Sequence, residues 1–222
     1  MAHNRFKQIF EVSIIKTVIF NFHYFGLRGL IKIPIIVYKN FILYSLKGKI
    51  YLNDNISMGD IRLGTGGVGI FNRKSDRGIW QNNGKIIFEG KCRIGIGAKI
   101  SNNKKGKIVF GDNFYLTANS QIICYKSVSF GDNVLISWDC LIFDGDTHKV
   151  LNDQNIQTNL DEDINIGTHC WIGCRSVILK GCNIANNSII AANSTISKSI
   201  EQENMIIGGL DKVLKKGVNW EK

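Results

Sequence analysis

The segment INIGTHCWIGCRSVILKGCNIANNSIIAANSTIS, residues 164–197, repeats every six residues. Ile166, Ile172, Ile178, Ile184, Ile190 and Ile196 recur without a miss, and the small residues Cys170, Ser176, Cys182, Ser188 and Ser194 stand two positions before the last five. An α-helix cannot use this pattern, because its 3.6-residue period rotates successive hexads around the cylinder and buries no continuous face. A triangular solenoid can. Each hexad forms one short strand and a turn, three hexads close a coil of 18 residues, and the isoleucines stack from coil to coil inside the prism. The spacing therefore predicts Ile166 beneath Ile184, Ile172 beneath Ile190 and Ile178 beneath Ile196, with the small residue where the chain rounds a corner.

The same step extends towards the N-terminus. Phe130, Ile136 and Ile142 keep it, with Cys140 two before Ile142; so do Phe110, Leu116 and Ile122, and Phe88, Ile94 and Ile100, with Cys92 two before Ile94. Gly111-Asp112-Asn113 and Gly131-Asp132-Asn133 recur in phase as turns, since Gly and Asn tolerate left-handed backbone angles. Five coils are readable between about residues 86 and 198, and residues 50–85 are expected to hold degenerate coils around the glycine-rich insertion Gly64 to Gly69. The expected fold class is an all-β solenoid over residues 50–207, with an N-terminal extension (1–49) that is helical in expectation and a short C-terminal tail (208–222). The period breaks between Ile142 and Ile166, where the polar stretch 144–163 cannot pack inside a prism. A loop leaving a regular solenoid usually serves a ligand or partner.

Composition narrows the classes. The 44% hydrophobic and 21% charged residues exclude wholesale disorder. Of the net charge of +10, +7 falls in residues 1–50, which hold eight Lys or Arg, one acid (Glu11) and nine aromatics including Phe20, Phe22, Tyr24, Phe25 and Tyr38. That mixture suits either an anionic bilayer surface touched peripherally by residues 1–45 or a helical cap that packs its rings on the end of the solenoid. Charges at Lys16, Arg28, Lys32 and Lys39 interrupt every candidate spanning segment. Beyond residue 50 the 20 basic and 17 acidic residues leave no basic stripe, so nucleic acid is not an expected partner. No secretory h-region with a cleavage site is visible, and most of the six cysteines fall on core positions of the repeat, so free thiols and a cytoplasmic location, on the inner face of the cell membrane if the extension touches it, are expected.

His148 stands at the start of the polar excursion, in Asp144-Gly145-Asp146-Thr147-His148. A nearby carboxylate can fix an imidazole tautomer and stabilise the imidazolium formed on proton abstraction, which makes His148 a candidate base with Asp146 as its orienting acid. The hexads, this Asp-x-Asp-x-His segment, His169-Cys170-Trp171-Ile172-Gly173 and Ile190-Ala191-Ala192-Asn193-Ser194-Thr195-Ile196-Ser197-Lys198 together resemble the hexapeptide-repeat acetyltransferases, especially the sugar and polysaccharide O-acetyltransferase group, over roughly residues 86–216. The resemblance implies a left-handed parallel β-helix and a homotrimer with each active site between two subunits. It also implies acetyl transfer from acetyl-CoA to a sugar hydroxyl, of a cell-envelope polysaccharide or its precursor, with no metal.

Residue by residue, the resemblance makes His148 the general base and Asn119 a positioner of acceptor or base. Trp171 and Gly173 would lie beside the pantetheine arm, and the backbone N–H of Cys174 would hold the thioester oxygen. Ala192, Ser197 and Lys198 would contact the cofactor, and Lys212 and Lys215 its phosphates. Two departures weaken the cofactor end: Gly208-Gly209-Leu210-Asp211-Lys212 lacks the family's proline, and Asn193 replaces a turn glycine. An N-acetyltransferase of a nucleotide-linked amino sugar and a non-catalytic solenoid scaffold are the competing readings. A zinc site of the carbonic-anhydrase kind would need three histidines, and the solenoid region holds two, His148 and His169.

Overall fold

Up to residue 208, consecutive strands of the chain fall into three different sheets, and strands one full coil apart pair in parallel. The computed structural model describes residues 10–72 and 74–221. Its sheets hold nine, seven and six strands and form a left-handed parallel β-helix. The predicted stacking holds: Ile166 pairs with Ile184, Ile172 with Ile190 and Ile178 with Ile196. The coil lengthens from 18 residues there to 20 between Phe110 and Phe130, and to 22 between Phe88 and Phe110.

Inside the prism the stacked positions are fully or almost fully buried. Phe88, Phe110 and Phe130 form one aromatic column, with ring centroids 5.2 and 5.7 Å apart and planes within 17°, and Phe114 tilts onto two of them at 4.7 Å. All six cysteines are free, five of them buried. Burial pushes the thiols of Cys140, Cys170 and Cys182 up to about 11. Two corners of the prism are turned by left-handed residues in columns: Gly97, Asn119, Asp139, Arg175 and Asn193 on one edge, and Asn113, Asn133, His169, Asn187 and Asn204 on another. Asn and Asp accept this conformation more readily than other side chains, which is why Asn193 can stand where a glycine was expected.

The solenoid begins earlier than residue 50. Strands Ile35–Val37 and Phe41–Ser45 pair with Ile61–Thr65 and Gly78–Asn82, so the first coil lies inside the stretch expected to be an extension. Longer corners and the insertion that precedes Gly78 hide its period. Before it runs the helix Ile14–Lys32, capped by Ser13, whose hydroxyl accepts the Lys16 N–H, and broken at Gly26, whose φ of 59° suits glycine. Residues 1–9 of the chain lie outside the described residues.

The helix closes the open edge of the nine-stranded sheet. Val37 N–H donates to Thr17 Oγ1 at 3.0 Å, Ile35 N–H to Asn21 Oδ1 at 3.2 Å, and Asn21 Nδ2 to Ile35 O at 2.6 Å. Thus two side chains one helical turn apart satisfy the edge strand, removing a template for aggregation. Phe20 packs edge-on to Trp80 at 5.5 Å beneath them. No described helix is long and apolar enough to cross a membrane.

The C-terminal stretch is also built in rather than a loose tail. Lys212–Lys216 pairs antiparallel with Met205–Gly208, and the chain then turns back so that Trp220 stacks on His169 at 4.7 Å.

Candidate active site

The polar excursion is launched by a buried charge. Asp144 is fully buried, and its carboxylate accepts the N–H groups of Tyr125 and Lys126 at 2.7 and 2.8 Å and the Cys124 thiol at 3.3 Å. It tops a polar column in which Asn102 Nδ2 donates to Asn82 Oδ1 at 2.9 Å. Burial first, and then the Asp144 charge, push the Cys124 thiol far up and keep it protonated, so it serves as a donor. Glu162 N–H donates to Asp144 O at 2.9 Å and closes the neck of the arm, while Leu151 and Gln157 bridge antiparallel further out.

Within the arm Asn159 is the hub. Its Nδ2 donates to Asp146 Oδ2 at 2.8 Å and to His148 O at 2.7 Å, and its Oδ1 accepts Val150 N–H at 2.7 Å. Lys180, on the next coil, forms an ion pair with Asp146. Hydrogen bonds from Lys180 and then Asn159 hold the Asp146 carboxyl below the ordinary carboxylate range.

No hydrogen bond joins Asp146 to the imidazole among the described residues: Lys180 and Asn159 both engage Asp146 Oδ2, and the His148 ring stands exposed. Orientation reaches His148 through its backbone carbonyl instead. Sequence reasoning missed Asn159 and Lys180; the nearest signal was a lone amide in a loop and a lysine 34 residues beyond Asp146.

The other expected residues fall on different edges. Asn119 is half-buried in a corner column and donates through Nδ2 to Asp139 Oδ1 at 2.9 Å. That corner starts the strand Leu141–Phe143, whose far end launches the arm, so no contact joins Asn119 to His148 within one chain among the described residues. Gly173, Cys174 and Ala192 do come together at this corner. A Cβ on Gly173 would lie 2.6 Å from the Ala192 nitrogen, so only glycine permits the approach. The N–H of Cys174 has no acceptor among the described residues, and the same is true of Ala118, Trp138 and Ala192 at the equivalent place in other coils. A free donor row is thus a property of the corner.

Trp171 lies on the outer face of the nine-stranded sheet, 37% exposed, with Nε1 donating to Ser137 Oγ at 3.0 Å. Trp220 comes within 5.9 Å of its ring and donates through Nε1 to His169 O at 2.8 Å. Ser197 is spoken for: its N–H and hydroxyl donate to the Asp211 carboxylate at 2.7 and 2.6 Å, and Lys198 N–H donates at 3.2 Å. Burial would raise the Asp211 carboxyl, but these donors outweigh it and hold it below the usual range. The Ser197 hydroxyl is held in this clamp, while the Lys198 side chain is exposed to solvent. Lys212 and Lys215 are exposed on the edge strand rather than on a loose end.

A β-helix with this loop and corner defines a class. Residues 163–198 match the bacterial transferase hexapeptide (six repeats) family, and the chain belongs to the hexapeptide-repeat acetyltransferases. Among its relatives, a putative lipopolysaccharide biosynthesis O-acetyl transferase of Escherichia coli, WbbJ, is 27% identical over 155 residues, 64% of this chain and 79% of that protein. An uncharacterized 24.8 kDa protein in the cps region of Klebsiella pneumoniae is 30% identical over 190 residues, 84% of each. Among solved structures, the polySia specific acetyltransferase NeuO is 18% identical, with a TM-score of 0.47 over 85% of this chain and 79% of that one.

Proposed function

We propose that the protein transfers an acetyl group from acetyl-CoA to a sugar hydroxyl of a cell-envelope polysaccharide or its precursor, with His148 as general base. The observation that carries this reading is the arm itself, in which Asn159 and the Asp146–Lys180 pair fix the backbone of His148 and leave its ring open to a ligand. The relative named for lipopolysaccharide biosynthesis supports a carbohydrate acceptor.

The chemistry follows from the groups present. His148 takes the proton as the hydroxyl oxygen attacks the thioester carbonyl, a contribution of about 10²–10⁴-fold. The carbonyl oxygen becomes an oxyanion facing backbone donors such as the Cys174 N–H, each worth about 10²–10³-fold. The C–S bond then breaks, and the imidazolium returns its proton to the departing thiolate. Because the arm and the Cys174 corner lie on different edges of one prism, the reading places each site between two subunits of a homotrimer. Val150, Leu151, Ile156 and Leu160, all exposed on the arm, offer the apolar surface for that neighbour.

Thiol release from acetyl-CoA, measured against sugars, polysaccharide repeat units and nucleotide-linked amino sugars, tests the proposal. Turnover with hydroxyl acceptors is expected; turnover confined to amino sugars would reassign the acceptor, and none with any member would favour a scaffold.

A further inference from the structure

The helix Ile14–Lys32 uses one face to close the sheet edge and leaves the opposite face bare. Thr17, Phe20 and Asn21 are buried, whereas Ile14, Ile15, Val18, Ile19 and Phe22 are exposed, Ile14 and Ile15 by more than 70%. Their spacing places them on one side of the helix, about opposite the buried face. Past the break at Gly26, Leu27 and Ile31 are exposed as well, next to the exposed Arg28 and Lys32. Scattered exposed apolar residues are ordinary, but five on one face of a helix form an interaction surface.

The charge around the stripe says what covers it. A cavity of about 420 Å³ at the start of the helix is lined by Lys16, Lys39, Lys74 and Arg77, with Glu11 as its one acid. Lys16 Nζ donates to the carbonyls of Lys39 and Phe41 at 2.7 Å, and Lys39 Nζ to Phe10 O at 2.6 Å, which holds both ammonium groups at the cavity. Burial first, and then the Arg77 charge, lower the Lys16 ammonium from its usual range, a repulsion that a bound anion would relieve. An apolar stripe beside an open basic cavity matches a surface that is itself apolar beneath and anionic above. A second copy of the chain would bring like charge against like.

We propose that this end of the solenoid docks on an anionic lipid bilayer, with the stripe from Ile14 to Phe22 in the acyl boundary and lipid phosphates in the cavity lined by Lys16, Lys39, Lys74 and Arg77. The inference does not depend on the reaction catalysed, and its test needs no turnover. Full-length protein is sedimented with vesicles of phosphatidylglycerol and phosphatidylcholine mixed, with phosphatidylcholine alone, and in the presence of free inorganic phosphate. Binding to the anionic vesicles is expected, weakened by salt and barely reduced by millimolar phosphate. The Lys74→Glu/Arg77→Glu variant should bind about tenfold or more weakly, at roughly 1 kcal/mol per cation at the surface. An Ile15→Asp/Ile19→Asp/Phe22→Asp variant, unchanged in circular dichroism because these side chains are exposed, should stay in the supernatant. The proposal is overturned if the wild type fails to pellet, if the folded aspartate variant pellets equally, or if light scattering shows that this variant has lost subunits while wild-type vesicle binding is absent, which would make the stripe a contact between copies.

Discussion

Lys180 closes on Asp146 across the gap between two coils, so beyond its neck the arm that carries His148 is tied to the next coil by a charge pair. The pair is partly exposed, and such pairs contribute only about 0–1 kcal/mol to global stability. Lys180→Ala should therefore leave the melting temperature nearly unchanged while kcat falls about tenfold, because a misplaced base forfeits part of the advantage of orientation. Lys180→Arg should restore much of the loss. Paired melting curves and initial rates check both.

Asn159→Ala removes the donor shared by Asp146 and His148 and the acceptor for Val150 N–H. Hydrogen exchange should quicken in residues 146–160 with the solenoid strands unaffected, and kcat should fall more than for Lys180→Ala. Equal exchange in the arm of wild type and variant would show that Asn159 does not organise it.

The aromatic column gives a stability prediction. Phe110 is fully buried between Phe88 and Phe130 with Phe114 against it, so Phe110→Ala should destabilise by about 3–5 kcal/mol in urea unfolding.

Asp211 gives a pH prediction. Its carboxyl is held below the ordinary value of 3.8 by Ser197 and Lys198 donors, against the opposing effect of burial. A depressed folded value means that the stabilisation is complete above the ordinary carboxylate range and lost as pH falls through the lower folded value. Release of the hairpin, read by Trp220 fluorescence, should show an acid step that disappears in Asp211→Asn.

Legibility followed coil length. Where the coil is 18 residues, every inward isoleucine and small corner residue was readable by counting, and the register between Ile166 and Ile184 follows. Between Ile50 and Ile86 the coil takes 36 residues, so the period vanishes and the strand Ile35–Val37 was assigned to an extension. The arm was visible as a broken period, but its hub was not: Asp146 and Lys180 meet because coils stack, a proximity no local pattern records. Likewise the pairing of Asp211 with Ser197 depends on the hairpin at Gly208, whose turn departs from the familiar motif. Trp220 near Trp171 is a product of the same reversal.

Cys174 is the one half-buried cysteine among five buried ones, so a maleimide should label it first, and CoA should protect it if its corner holds the thioester.

His148 as general base is tested by the rate of acetyl transfer by His148→Ala with a sugar acceptor at saturating acetyl-CoA. The variant is expected to fold and retain CoA binding while kcat falls by about 10²–10⁴-fold. A folded, CoA-binding variant that acetylates at the wild-type rate would contradict that role.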